Sequence, residues 1–77
     1  MTNMTREQAL EKLVELNVAK WGEGERAAAR RLNAHKSLGL LMNSIAYFDI
    51  NHIDPAMEKA AELALTSADR AELRKGG

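Results

Sequence analysis

His35 and His52 are the chain's two imidazoles, and cysteine is absent. Metal capture or acid–base chemistry needs such groups gathered, most simply with a second His or a carboxylate three or four residues away on a helix. The two histidines stand 17 residues apart, and only Asp49, three before His52, meets that spacing. No Gly-rich phosphate loop, paired-His motif or nucleophile elbow occurs. The expectation is therefore a protein that is not an enzyme, with no catalytic residue, metal site or cofactor. His35 and His52 then take capping, surface or partly buried roles.

Positive charge is the next chemical feature. Lys20, Arg26, Arg30, Arg31, His35 and Lys36 concentrate it between the end of one amphipathic stretch and the middle of the chain, a candidate phosphate-binding patch. The segment Arg26 to Leu41 resembles a helix-turn-helix, with Ala29 at a small buried position, Asn33 at a left-handed turn position and Ala34 as an apolar turn residue. That resemblance implies a small DNA-binding transcriptional regulator touching nucleic acid through Arg26, Arg30, Arg31, His35 and Lys36. Two facts weigh against it. The would-be recognition stretch, Lys36 to Met42, has almost no donor after Ser37, whereas base edges are read mainly by Arg, Lys, Asn and Gln. In addition, 11 Lys+Arg balance 11 Asp+Glu, and counterion release needs an excess of cations. Solvated helix charges explain the neutrality as well. Glu58, Glu62 and Asp69 form an acidic stripe expected beside Arg26, Arg30 or Arg31, in the same fold or across a dimer.

Trp21, Tyr47 and Phe48 are the only aromatics, the residue class that anchors interfaces. Phe48 fits a core stripe, Trp21 ends the first helix against the following loop, and Tyr47 points away from the core together with Leu40. The residues expected to meet another protein are Trp21, Arg26, Arg30, Leu40 and Tyr47. Met42 and Met57 read as fillers of core gaps.

All of these must be positioned by helices, because no segment alternates as a strand does. Thr5-Arg6-Glu7-Gln8 is a capping box, and Leu10, Leu13, Val14, Asn17 and Trp21 share one face of a helix over residues 6–21. Gly22 and Gly24 end it. A long helix over 25–49 follows, with Leu38, Leu41, Met42, Ile45 and Phe48 on one side and Leu40 and Tyr47 nearly opposite. Asp54-Pro55 starts a third helix over 55–74, faced by Met57, Ala60, Ala61, Ala64, Ala68 and Ala71 and followed by a flexible tail at 75–77. Ser67 offers an alternative start for a separate last helix. Gly39 is a small spot against which the alanine face could approach closely.

The fold class expected is all-α, a single small three-helix domain over residues 1–77. At this size roughly 115 kcal/mol of apolar burial meets roughly 115 kcal/mol of lost conformational entropy. With no disulfide or metal to help, and a central helix apolar on two sides, a helical homodimer is the expected remedy. Met1-Thr2-Asn3-Met4 lacks the basic and apolar regions of a leader, and no 18-residue apolar run exists, so a cytoplasmic protein with no membrane contact is expected. Thirteen alanines and more Arg than Lys suit a GC-rich bacterial or phage source. The functional expectation is a regulator, inhibitor or adaptor that docks onto another protein as a dimer, with nucleic acid as the alternative partner.

Overall fold

The computed structural model describes residues 4–76. Met1, Thr2 and Asn3, which bear on the leader expectation, and Gly77 of the expected tail lie outside them. Thr5 caps α1 (Arg6–Trp21): its hydroxyl accepts from the Gln8 amide at 3.1 Å, and the Gln8 side chain accepts from the Thr5 amide at 2.9 Å. Helix α1 stops at Gly22, whose φ of 103° would strain any side chain. A single 3-10 turn over Glu23–Glu25 then leads into α2 (Arg26–Asn33), followed by α3 (Leu38–Ala46), α4 (Pro55–Ala64) and α5 (Ser67–Gly76). The described residues form helices and connections and contain no strand.

Five α-helices replace the expected three, and each extra break has a polar cause. The continuous helix over 25–49 is interrupted at residues 34–37. There the Ser37 hydroxyl accepts from the Leu40 amide at 3.3 Å and starts α3, while Arg6 reaches across from α1 to the connecting turn. Its Nε donates to the Lys36 carbonyl at 2.8 Å and its guanidinium also donates to the Ala34 carbonyl. Carbonyls that a continuing helix would have used are thereby satisfied from outside. The helix over 55–74 is interrupted at Leu65–Thr66, because Thr66 and Asp69 cap one another. The Asp69 amide donates to the Thr66 hydroxyl and the Thr66 amide to the Asp69 carboxylate, both at 3.1 Å. The alternative start at Ser67 is thus the one the chain adopts. The alanine face consequently ends early: Ala61 is buried, Ala60 and Ala64 are half-buried, and Ala68 and Ala71 are exposed. Lys75 and Gly76, expected in the tail, are the last residues of α5.

Side-chain contacts fix the directions of the helices. Arg30 meets Glu11 and Arg26 meets Glu15, so α2 runs back along α1. Arg6 touches the turn before α3 while Trp21 meets Phe48 just beyond it, so α3 runs parallel to α1. Tyr47 bonds to Glu58, and Gly39 lies against Ala64, so α4 returns antiparallel. Most of the apolar surface of the central segment is therefore covered within one chain, although Leu40 stays half-buried and Tyr47 exposed. Leu41, Ile45 and Phe48 lie on the side facing α1, while Gly39, Asn43 and Tyr47 lie on the side facing α4. Leu41 and Val14 are the largest wholly buried side chains, within a core that also holds Leu10, Leu13, Met42, Ile45 and Met57. The Cα radius of gyration, 12.0 Å, is close to the about 11.5 Å of a compact chain of this length. Of the central segment, the half-buried Leu40 and the exposed Tyr47 are what remains for a second copy to cover.

A Cβ built on Gly39 would sit 2.9 Å from the carbonyl carbon and oxygen of Ala64 and from Cα of Leu65. Gly39→Ala is expected to push α3 and α4 apart and cost about 1–3 kcal/mol, the range for overpacking. Leu41→Ala should cost about 2–5 kcal/mol through a cavity. Urea unfolding measures both.

Helix α5 is anchored differently: Asp69 is its one buried side chain among residues 67–75. The Thr66 amide and the Ser37 hydroxyl hold the Asp69 carboxyl below the usual carboxylate range. A depressed folded-state value contributes stability above the unfolded value that is lost as pH falls through the folded one. Acidification, or Asp69→Ala at neutral pH, should therefore free α5 first. Amide exchange across residues 67–75 should quicken while the amides of α1 and α3 keep their protection.

Candidate functional site

The structure sorts the expected site residues into three groups. Arg26 and Arg30 are engaged within the chain, but not by the acidic stripe expected to meet them. Arg26 grips Glu15 and Glu23 together, and Arg30 holds Glu11 through Nη2 at 2.7 Å and Nε at 3.2 Å. The reason is topological: α2 folds back on α1, so its arginines face the carboxylates of that helix while α4 lies beyond α3. Hydrogen bonds from Arg26 hold Glu15 and Glu23 below the usual carboxylate range and push Arg26 further up. Such exposed pairs fix register more than they stabilise.

Arg31, His35 and Lys36 form the second group, at the end of the bundle that holds the α2–α3 turn. Arg31 and His35 are exposed, and Lys36 Nζ lies 3.4 Å from the Ser44 hydroxyl. The helix-turn-helix spacing is present as α2, turn and α3, with Ala29 buried. Its details depart from the resemblance. Asn33 is the last helical residue of α2, its side-chain Nδ2 donating to the Ala29 carbonyl at 2.8 Å, and no non-glycine residue among those described has a positive φ. Ala34 is exposed rather than packed. Helix α3 is covered by α1 and α4, which leaves little of it to enter a groove. His52 lies at the opposite end from His35, so the two imidazoles cannot share a ligand. No cluster of three potential metal ligands occurs among the described residues.

The third group is aromatic and apolar. Trp21 stands edge-on to Phe48, with ring centroids 5.8 Å apart and planes at 71°, and Lys20 Nζ lies 5.1 Å from the first ring centre and 5.6 Å from the second. Trp21 nevertheless remains 58% exposed. At this same end the connection from α3 to α4 carries Ile50, 77% exposed, and Ile53, 40% exposed. That connection is pinned by bonds from the His52 amide to the Asp49 carbonyl at 2.9 Å, the Asn51 amide to the Asp49 carboxylate at 3.0 Å, and the Asp54 amide to the Ala46 carbonyl at 3.2 Å. The apolar side chains are thus displayed on a fixed loop. Of the expected pair, Tyr47 belongs at this end, while Leu40 is half-buried nearly two turns away in the first turn of α3. The signal for Ile50 and Ile53 was present in the sequence, since both are β-branched apolar residues in a turn with no helix face on which to hide.

Beside this end runs a groove of about 230 Å³ lined by Asn43, Tyr47, Glu58, Glu62, Leu65 and Arg70. The Tyr47 hydroxyl donates to the Glu58 carboxylate, which pushes the phenol above its ordinary range. Arg70 donates to the Glu62 carbonyl at 2.9 Å. No ion pair reaches Glu58 or Glu62 among the described residues.

No family model matches the chain, and neither the curated proteins nor the solved structures contain a match to it.

Arg26→Gln should flatten the acid limb of stability. Because Glu15 and Glu23 lie below their unfolded values, their contribution is present above the normal carboxylate range and lost as pH falls through the depressed values. Urea midpoints between about pH 2 and about pH 6 should converge for wild type and variant at the acid end and separate toward neutrality. Arg31→Ala, by contrast, should leave the whole curve unchanged.

Proposed function

We propose that this chain is a small non-enzymatic protein-binding module, a regulator, inhibitor or adaptor, working in the cytoplasm and docking onto its target as a homodimer. The observation that carries this reading is the apolar end of the bundle. Trp21, Ile50 and Ile53 stand in solvent on a hydrogen-bonded frame, in a chain that has only three aromatics in all. Exposed apolar surface of this kind marks contact sites, and a rigid frame lowers the entropy lost on binding. Leu40, half-buried in the first turn of α3, contributes less to this surface than Trp21, Tyr47, Ile50 and Ile53. DNA reading finds less support, because α3 is enclosed and Arg26 and Arg30 are already paired with carboxylates.

Trp21→Ala combined with Ile50→Ser should retain the helicity of the wild type, since both side chains lie mostly in solvent. It should lower affinity for a retained cellular protein about tenfold or more, the scale of a lost aromatic anchor. Sedimentation should show a closed dimer. Undiminished retention by the double variant would sink the docking role. Tight binding of duplex DNA at about 0.05 M salt, abolished by Arg31→Ala with Lys36→Ala, would transfer the function to the other end.

A further inference from the structure

We infer that the occupant of this end is a basic amphipathic segment of another protein, its apolar anchors on Trp21, Ile50 and Ile53 and a Lys or Arg side chain in the Glu58–Glu62 groove. The inference rests on the docking reading above and adds the chemistry of the partner. Charge complementarity carries it. From Tyr47 to Glu58 the chain has Asp49, Asp54 and Glu58 and no Lys or Arg, and the neighbouring turn adds Glu25, Glu23 being held by Arg26; these carboxylates outnumber the Lys20 ammonium that lies over the Trp21 and Phe48 rings. The carboxylates of α1 are treated differently: Glu11 and Glu15 already face arginines of α2. Glu58 and Glu62 lie one helical turn apart with no cation of this chain against them among the described residues. Arg70, at the far end of the groove, is directed to a backbone carbonyl instead.

Tyr47, which lines the groove, and Phe48, which packs on Trp21, are consecutive at the end of α3, on its α4 and α1 sides respectively. A helix with apolar residues at i, i+3, i+4 and i+7 and cations flanking them would meet both at once. An ammonium or guanidinium in the groove would find the Glu58 and Glu62 carboxylates and the Asn43 side-chain carbonyl as acceptors. An acidic segment would meet like charge on the α3–α4 loop and in the groove.

Trp21 is the only indole, so its emission reports directly on the site. The full chain should be titrated with two synthetic helical peptides of about 18 residues, about five turns, sharing one leucine pattern and differing only in Lys or Glu at the remaining positions. The lysine peptide should shift Trp21 emission to the blue and bind about tenfold or more tighter than the glutamate peptide, with the difference shrinking between about 0.05 and about 0.5 M salt. Glu58→Gln with Glu62→Gln should weaken the lysine peptide about tenfold at unchanged helicity, whereas Glu7→Gln on α1 should not. Equal binding of both peptides would overturn the inference and leave the docking reading standing, as would a preference for the glutamate peptide. Binding of neither peptide by a monomeric chain would overturn both. Binding of neither by a self-associating chain whose Trp21 emission is already blue-shifted would assign the site to a second copy and overturn the inference.

Discussion

Gly39 leaves room for the backbone of Ala64 and Leu65, which lies 2.9 Å from where a Cβ on residue 39 would stand. Because α4 lies this near to α3, α3 is enclosed by α1 on one side and α4 on the other. Leu41, Met42 and Ile45 of the central segment thereby become core. The same approach places Tyr47 beside Glu58 and forms the groove that continues to Leu65 and Arg70. At the other end of α3 the connection to α4 is pinned by its own hydrogen bonds and carries Ile50 and Ile53 into solvent.

Local chemistry in the sequence translated directly into structure. The Thr5–Gln8 box, the glycine stop at residue 22, the Asp54-Pro55 start and the apolar stripe through Leu41 and Ile45 depend on residues within one or two turns of each other, and each is present. The breaks at residues 34–37 and 65–66 depended on competition. The apolar and alanine periodicities ran through both points, and polar groups overruled them. For the second break the competitor was visible, since Thr66 and Asp69 have capping spacing. For the first it was not. Arg6 lies about 30 residues from the carbonyls it binds, and nothing local announces that contact. The arginine pairings were hidden for the same reason: Glu11 and Glu15 become their partners only once α2 folds back.

The two ends of the bundle consequently differ in kind although the chain as a whole is neutral. One collects Arg6, Arg31, His35 and Lys36 around the α2–α3 turn. The other collects Trp21, Ile50 and Ile53 with Asp49, Asp54 and Glu58 around the α3–α4 loop, and Lys20 over the aromatic pair. The long α1–α2 seam between them is neutralised by its own ion pairs. A neutral total is therefore compatible with an uneven distribution of charge between the two ends.

The order of the helices also bears on how the molecule assembles. Every substantial packing partnership, α1 with α2, α1 with α3 and α3 with α4, joins elements that are neighbours or next neighbours along the chain. Closing such short loops costs little chain entropy, which places this topology among fast folders. Helix α5, held through its first turn, is left out of that sequence of closures. The four-helix body can therefore close before α5 docks onto it.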